Sequence, residues 1–282
     1  MRLAIVTLCL ASTFVQAPTA ADSHQPIAME RILPSPGGAV FVGSDSQRLI
    51  AVEFKADRDP AFRVLSEAEA RPWTAGIHTS VATEGFDKRR VLFIERDNAS
   101  PPEDLPPLPQ TTYDQFAAAR PQRVRDGYVL GVTEVQESIG PWQRDNGRIW
   151  FGKSFYDGEG TTGVGGFGYF DLKERKLHLF SPPEIADWSV SAMVVDPSTV
   201  WMTLVHRGET SGSSGGLLRY DRQSGALRRL DFPDIGIRLI QVDGKTVAAT
   251  DSGLAVVEGD RVKRYFIDRT TDGRVRVAVA KP

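Results

Sequence analysis

The chain has 282 residues, 41% of them hydrophobic and 25% charged, with a formal net charge of −2. That length suffices for one large all-β domain or two ordinary ones. The near-neutral charge supplies no electrostatic attraction for nucleic acid or an anionic membrane, and no basic stripe with interleaved aromatics occurs, so nucleic-acid binding is not expected.

MRLAIVTLCLASTFVQAPTAAD reads as a secretory signal peptide, with Arg2 as the positive region, Leu3 to Val15 as the apolar core, and small residues at Thr19, Ala20 and Ala21. Cleavage is expected between Ala17 and Asp22, giving a signal peptide of residues 1–21 and a periplasmic or secreted domain of 22–282. The apolar run is too short to span a bilayer, and no later stretch approaches eighteen apolar residues, so no transmembrane segment is expected. Leu8 is too large for lipoprotein cleavage before Cys9. Cys9 is the only cysteine, so the mature chain carries no thiol, no disulfide and no cysteine-based chemistry.

Next, AVFVGSDSQRLIAVEFKADRDPAFRVLSE (39–67) holds three strand-like runs, and AGIHTSVATEGFDKRRVLFIERD (75–97) supplies two more. A proline-rich insertion occupies 98–122. Its prolines cannot join a β-ladder, which makes it a stiff surface excursion, a decorated loop or a partner-binding arm. TTYDQFAAAR within it has the form of a short helix capped by Thr111 or Thr112.

The second half repeats. GGFGYFDLKERKLHLFSPPEI (165–185) overlies GGLLRYDRQSGALRRLDFPDI (215–235) without a gap, matching Asp171 with Asp221 and Leu177 with Leu227. SIGPWQRDNGRIWFG (138–152) overlies SVSAMVVDPSTVWMT (189–203), matching Asp145 with Asp196 and Trp150 with Trp201. A third, truncated copy runs from Ile237 to Ile267, with Asp243 and Val247 in the same frame. Turn residues separate apolar runs in each copy, so each unit predicts four short strands, as in 189–195, 199–205, 216–221 and 226–230. Four strands per repeat of about 40 to 50 residues is the pattern of a β-propeller blade. Units near 30–66, 75–133, 138–184, 188–233 and 236–268 give an all-β fold, a β-propeller of about five four-stranded blades; four or six also fit. Trp150 and Trp201 are expected in the layers between blades, and His178 on the exposed side of an outer strand.

The apolar-Trp second strand, the Gly-Gly-x-x-x-aromatic-Asp third strand and the charged turn before the fourth resemble blades of bacterial sensor-type propellers. The wider group includes virginiamycin B lyase-like and gluconolactonase-like propellers. The resemblance covers 138–268 and implies a fold; it carries across no catalytic residues.

GVGGFG at 163–168 matches the G-x-G-x-x-G dinucleotide fingerprint, which requires a helix immediately after it. The chain instead continues through GYFDLKERKLHLF, an alternating strand pattern, so the glycines are assigned to a loop and to close packing.

In a propeller, second-to-third-strand loops and blade connections share one face. Long loops are expected at 153–164 and 205–214, bringing Lys153, Tyr156, Asp157, Glu159, His206, Arg207 and Glu209 to that face. The connections add Asp187, Trp188, Asp234 and Arg238. Arg207 is the best anchor, because its fork grips a carboxylate, a phosphate or sugar hydroxyls. The expected function is binding of a small polar ligand or an envelope protein. The alternative is a lyase or hydrolase in which His206 acts with Glu209, Asp157 or Glu159. No cofactor is expected; Asp157 and Glu159 have the ligand type calcium takes, without a dense acidic motif. Composition leaves the oligomeric state undetermined.

Overall fold

A computed structural model describes residues 26–45, 48–56, 61–84, 89–94, 102–103, 105–106, 136–156, 165–185, 188–207, 212–270 and 272–280. The signal peptide, most of the proline-rich insertion and the expected helix at 111–120 lie outside the described residues.

The fold is all-β, dominated by four antiparallel sheets of four or five strands each. The first holds β1 (Met29–Ser35), β2 (Gly38–Ser44), β3 (Leu49–Lys55) and β4 (Ala61–Val64), and β5 (Thr79–Glu84) pairs with β6 (Arg89–Ile94) in a separate ladder. The next sheet holds β7 (Gln136–Asp145), β8 (Arg148–Tyr156), β9 (Gly166–Asp171) and β10 (Lys176–Phe180). After it come β11 (Ser189–Val195), β12 (Thr199–Arg207), β13 (Gly212–Asp221) and β14 (Leu227–Leu230). The last sheet holds β15 (Gly236–Val242), β16 (Lys245–Thr250), β17 (Gly253–Glu258), β18 (Arg261–Arg269) and β19 (Val275–Val279). Among the described residues helix is confined to α1 (Glu67–Thr74) and a 3-10 turn at Pro183–Ile185, and no helix is long and apolar enough to cross a membrane.

Two features depart from the sequence pattern. Helix α1 was not expected, yet its signal is local: Ser66 is the N-cap, and Ser66 and Glu69 form a reciprocal capping box. The third copy is not truncated: β15 to β18 already give it four strands, and β19 adds a fifth beyond residue 268. Arg276 holds it there, donating from Nε and Nη2 to the two oxygens of Asp268 at 2.7 and 2.9 Å.

The repeated residues have local jobs. Asp171 accepts the amides of Lys173 and Glu174, and Asp221 accepts those of Gln223 and Ser224, so each closes the turn before its outermost strand. These amide hydrogen bonds hold both carboxyls below the usual carboxylate range. Arg175 adopts φ 53° where the next copy has Gly225 at φ 72°, the left-handed residue that reverses the chain. In the hairpins, Asn146–Gly147 and Asp243–Gly244 have positive φ at both central positions. Asp243 is therefore the counterpart of Asn146, not of Asp145 and Asp196 as expected. Val247 shifts by one with it: it lies opposite Ile240 as Trp201 lies opposite Val194, so it is the counterpart of Trp150 and Trp201 and not of Ile149 and Val200 as expected.

One rule governs packing between sheets: the third residue of each second strand faces the element that follows its sheet in sequence, and in the last sheet it faces the first sheet. Trp150 shares a core cluster with Val200, Met202 and Leu204 of β12. Trp201 shares one with Ala248 and Ala255 of β16 and β17, and Val247 one with Phe41 and Phe54 of the first sheet. Val40 packs with Leu65, Ala70 and Trp73, beside and within α1. The first and last sheets thus meet although they are far apart in sequence. The junction is reinforced where the Ile27 amide donates to the Ile267 carbonyl at 2.7 Å and where Arg269 pairs with Asp45.

Polar ties bridge the same junctions. Gln143 on β7 imitates a strand partner: its Oε1 accepts the Val195 amide at 2.8 Å and its Nε2 donates to the Val195 carbonyl at 3.3 Å. Arg222 pairs with Asp145 at 2.7 Å and stacks over Trp150. Gln241 Nε2 donates to Asp196 Oδ2 at 2.6 Å. Burial opposes ionisation of Asp196, but hydrogen bonds from the hydroxyls and amides of Thr199 and Ser198 outweigh it and hold the pKa below its ordinary 3.8. A depressed carboxylate contributes its stability above the ordinary value and loses it as pH falls through the folded-state value. Below about pH 4, Asp196→Asn should therefore lose stability less steeply than wild type in fluorescence-detected acid unfolding. Parallel curves would remove Asp196 from the acid response.

Candidate functional site

In each complete sheet the hairpin joining the first two strands lies at one end, so first strands begin, and second strands finish, at the opposite end. Cross-sheet contacts bring these ends together. Ser191, near the start of β11, donates to the Gly236 carbonyl at the start of β15 at 2.8 Å. A Cβ on Gly152 of β8 would stand only 2.5 Å from that of Val190 on β11.

Of the expected site residues, Lys153, Tyr156, Trp188, His206, Arg207 and Arg238 fall toward this end, and more of them are strand residues than expected. Lys153 lies opposite Ile139 and Gly166 and is half-buried, and Tyr156 is the last residue of β8. His206 and Arg207 finish β12 opposite Ser213 and Gly212, with His206 half-buried. The segments 153–164 and 205–214 are thus not loops throughout: β8 runs through Tyr156, and only 208–211 separate β12 from β13. Ladder pairing continues through the small residues Gly212, Ser213 and Ser214, which accept the extended conformation opposite Val205 to Arg207. Asp157, Glu159, Asp187 and Glu209 lie outside the described residues, as do the side chains of Tyr156 and Arg207. Of the acid–base set, the described portion therefore contains His206 alone.

Trp188 precedes β11, and its indole is gripped by packing. The Arg229 guanidinium lies 4.9 Å from the ring centroid, and a Cβ on Gly215 would come within 2.5 Å of the ring. Gly165, the repeat counterpart of Gly215, has no room for a Cβ against the carbonyl oxygens of Trp188 and Ile185. The first residues of GGFG thus serve close approach, and antiparallel β9 stands where a dinucleotide loop needs a helix.

Asp234, in the connection before β15, is buried and committed to the chain. It accepts Arg264 Nε at 2.5 Å and Nη2 at 2.7 Å, and the Ser252 hydroxyl at 2.7 Å. The Asp234 hydrogen bonds raise the Arg264 pKa against the effect of burial. Arg238 on β15 is half-buried opposite Ala249. It lines a cavity of about 250 Å³ between β15 and β1, together with Arg31, Ile32, Leu33, Pro34, Leu239 and Ile240. Sequence inspection passed over Arg31. The available signal was register: Arg31 and Arg238 each stand four residues before the end of a first strand, at Ser35 and Val242. Among the described residues no group of three or more His, Cys, Asp or Glu side chains is arranged to hold a metal ion.

Neither a family model nor a curated protein matches the chain.

Proposed function

We propose that this protein is an exported β-propeller that binds a polar ligand at the end where its first strands begin. The observation that carries this assignment is the common polarity of the sheets, with Lys153, His206 and Arg238 toward one end of three successive sheets. The propeller assignment draws on the packing rule, in which Trp150, Trp201, Val247 and Val40 each face the next element, and on the meeting of first and last sheets. The repeat motifs, which resemble those of sensor-type, virginiamycin B lyase-like and gluconolactonase-like propellers, support the same reading. Export rests on the N-terminal pattern. Mass spectrometry of periplasmic material should find a first residue between Pro18 and Asp22; an intact Met1 would refute export.

A thermal-shift screen of metabolites and envelope glycans tests the function, because a ligand that binds the native state raises the melting temperature. For a ligand so found, Arg207→Ala should weaken binding by about 1.5–3 kcal/mol, the worth of a charge-assisted hydrogen bond, while leaving the melting temperature of the free protein unchanged. Affinity unchanged in Arg207→Ala but lost on deleting 101–109 would move the site to the proline-rich insertion.

A further inference from the structure

We infer that the cavity between β1 and β15 is a subsite for a small oxyanion, a carboxylate or phosphate group, gripped by Arg31 and Arg238; this rests on the assignment of that end as the ligand face. The two arginines occupy one register. Each comes directly after a bulge, at Glu30 and Ile237, and each pairs with the corresponding residue of its second strand, Val42 or Ala249. In β11 this register holds Ala192, after the bulge at Ser191. The first and last sheets therefore carry a cation where the sheet of β11 carries an alanine.

Among the described residues, the remaining lining side chains are Ile32, Leu33, Pro34, Leu239 and Ile240, all apolar, and none is acidic. An anion held between two arginines is attracted by both, and more strongly beside low-dielectric walls than in water. Glu30, next to Arg31 in sequence, offsets one of the two charges. Both arginines also make interactions within the chain. Planar guanidinium forks match the paired oxygens of carboxylate and phosphate. At about 250 Å³ the cavity is smaller than the usual range for drug-sized ligands, so it suits one oxyanion group.

The test is calorimetry on the full mature chain with succinate and with inorganic phosphate as probes, with glucose as the neutral control. At least one oxyanion should bind saturably and glucose should not. Arg31→Gln and Arg238→Gln should each weaken that binding about tenfold or more, whereas Lys173→Gln on the exposed turn before β10 should leave it unchanged. Arg238→Lys keeps the charge and the stem but loses the fork, and should lower affinity several-fold even if the glutamine variants fail to fold. Absence of saturable binding by both oxyanions would overturn the inference, as would equal affinity in wild type, Arg31→Gln and Arg238→Gln. The broader assignment is tested separately: a ligand found in the screen and lost in Arg207→Ala supports the face whatever the oxyanion titrations give, and an oxyanion-bearing ligand lost in Arg207→Ala but bound normally by Arg31→Gln and Arg238→Gln supports the face and overturns the oxyanion subsite.

Discussion

Trp150→Ala should destabilise the protein by about 3–5 kcal/mol, the usual cost of emptying a buried tryptophan site. Trp150 is 1% exposed and fills the layer between β8 and β12. Its ring contacts Tyr169 within its own sheet and Tyr220 in the next, with centroids 4.7 and 6.2 Å away, and Arg222 caps it at 5.2 Å. Truncation removes the apolar area and also leaves the Arg222–Asp145 tie without the surface it lies on. Trp201, at the equivalent position and 7% exposed, should cost a similar amount through the next layer. Urea melts of both variants measure this. A loss below about 1 kcal/mol in either would place that tryptophan outside the layer between sheets.

Gly165→Ala should have the second large effect, about 1–3 kcal/mol or more from overpacking. The added Cβ would overlap the carbonyl oxygens of Trp188 and Ile185 and stand 2.9 Å from Ile185 Cγ1. Two of these obstacles are backbone atoms, which cannot swing aside as a side chain can. Gly147→Ala is the contrast: nothing lies within 4 Å of its Cβ, so its cost is confined to its left-handed φ of 75°. Thermal melts should rank Gly165→Ala as the less stable of the two. The reverse order would mean that β9 does not approach the 185–188 connection this closely.

The strands of the second half were legible because turn residues recur at fixed offsets between apolar runs, and a fifty-residue register matches Asp171 with Asp221 in identical turn-closing roles. Burial phase at the outer edge was less legible. On β10, His178 is half-buried and stacks on Tyr169 at 4.5 Å, while Leu179 is 44% exposed, the reverse of what alternation suggests. An outermost strand has little core beyond it, so an aromatic neighbour decides which side chain is covered. Helix α1 was missed because its apolar face is short, although Ser66 and Glu69 announce its start. Within the candidate site, the sequence pattern put Lys153, His206 and Arg238 toward one end of the sheets but did not show the pairings made there. Asp234 is consumed by Arg264, and Arg31 gains significance only because the first and last sheets meet. Such pairings depend on which strands become neighbours in space, and one-dimensional spacing does not encode that.

The most direct test of ligand binding at the first-strand end is a backbone-amide NMR map of the mature protein with the first ligand found in the thermal-shift screen. Perturbations should concentrate at 152–156, 188–191, 205–207 and 236–238, with the hairpins at 145–148, 196–199 and 242–245 unmoved. Perturbations confined to those hairpins, or to the proline-rich insertion, would contradict the account.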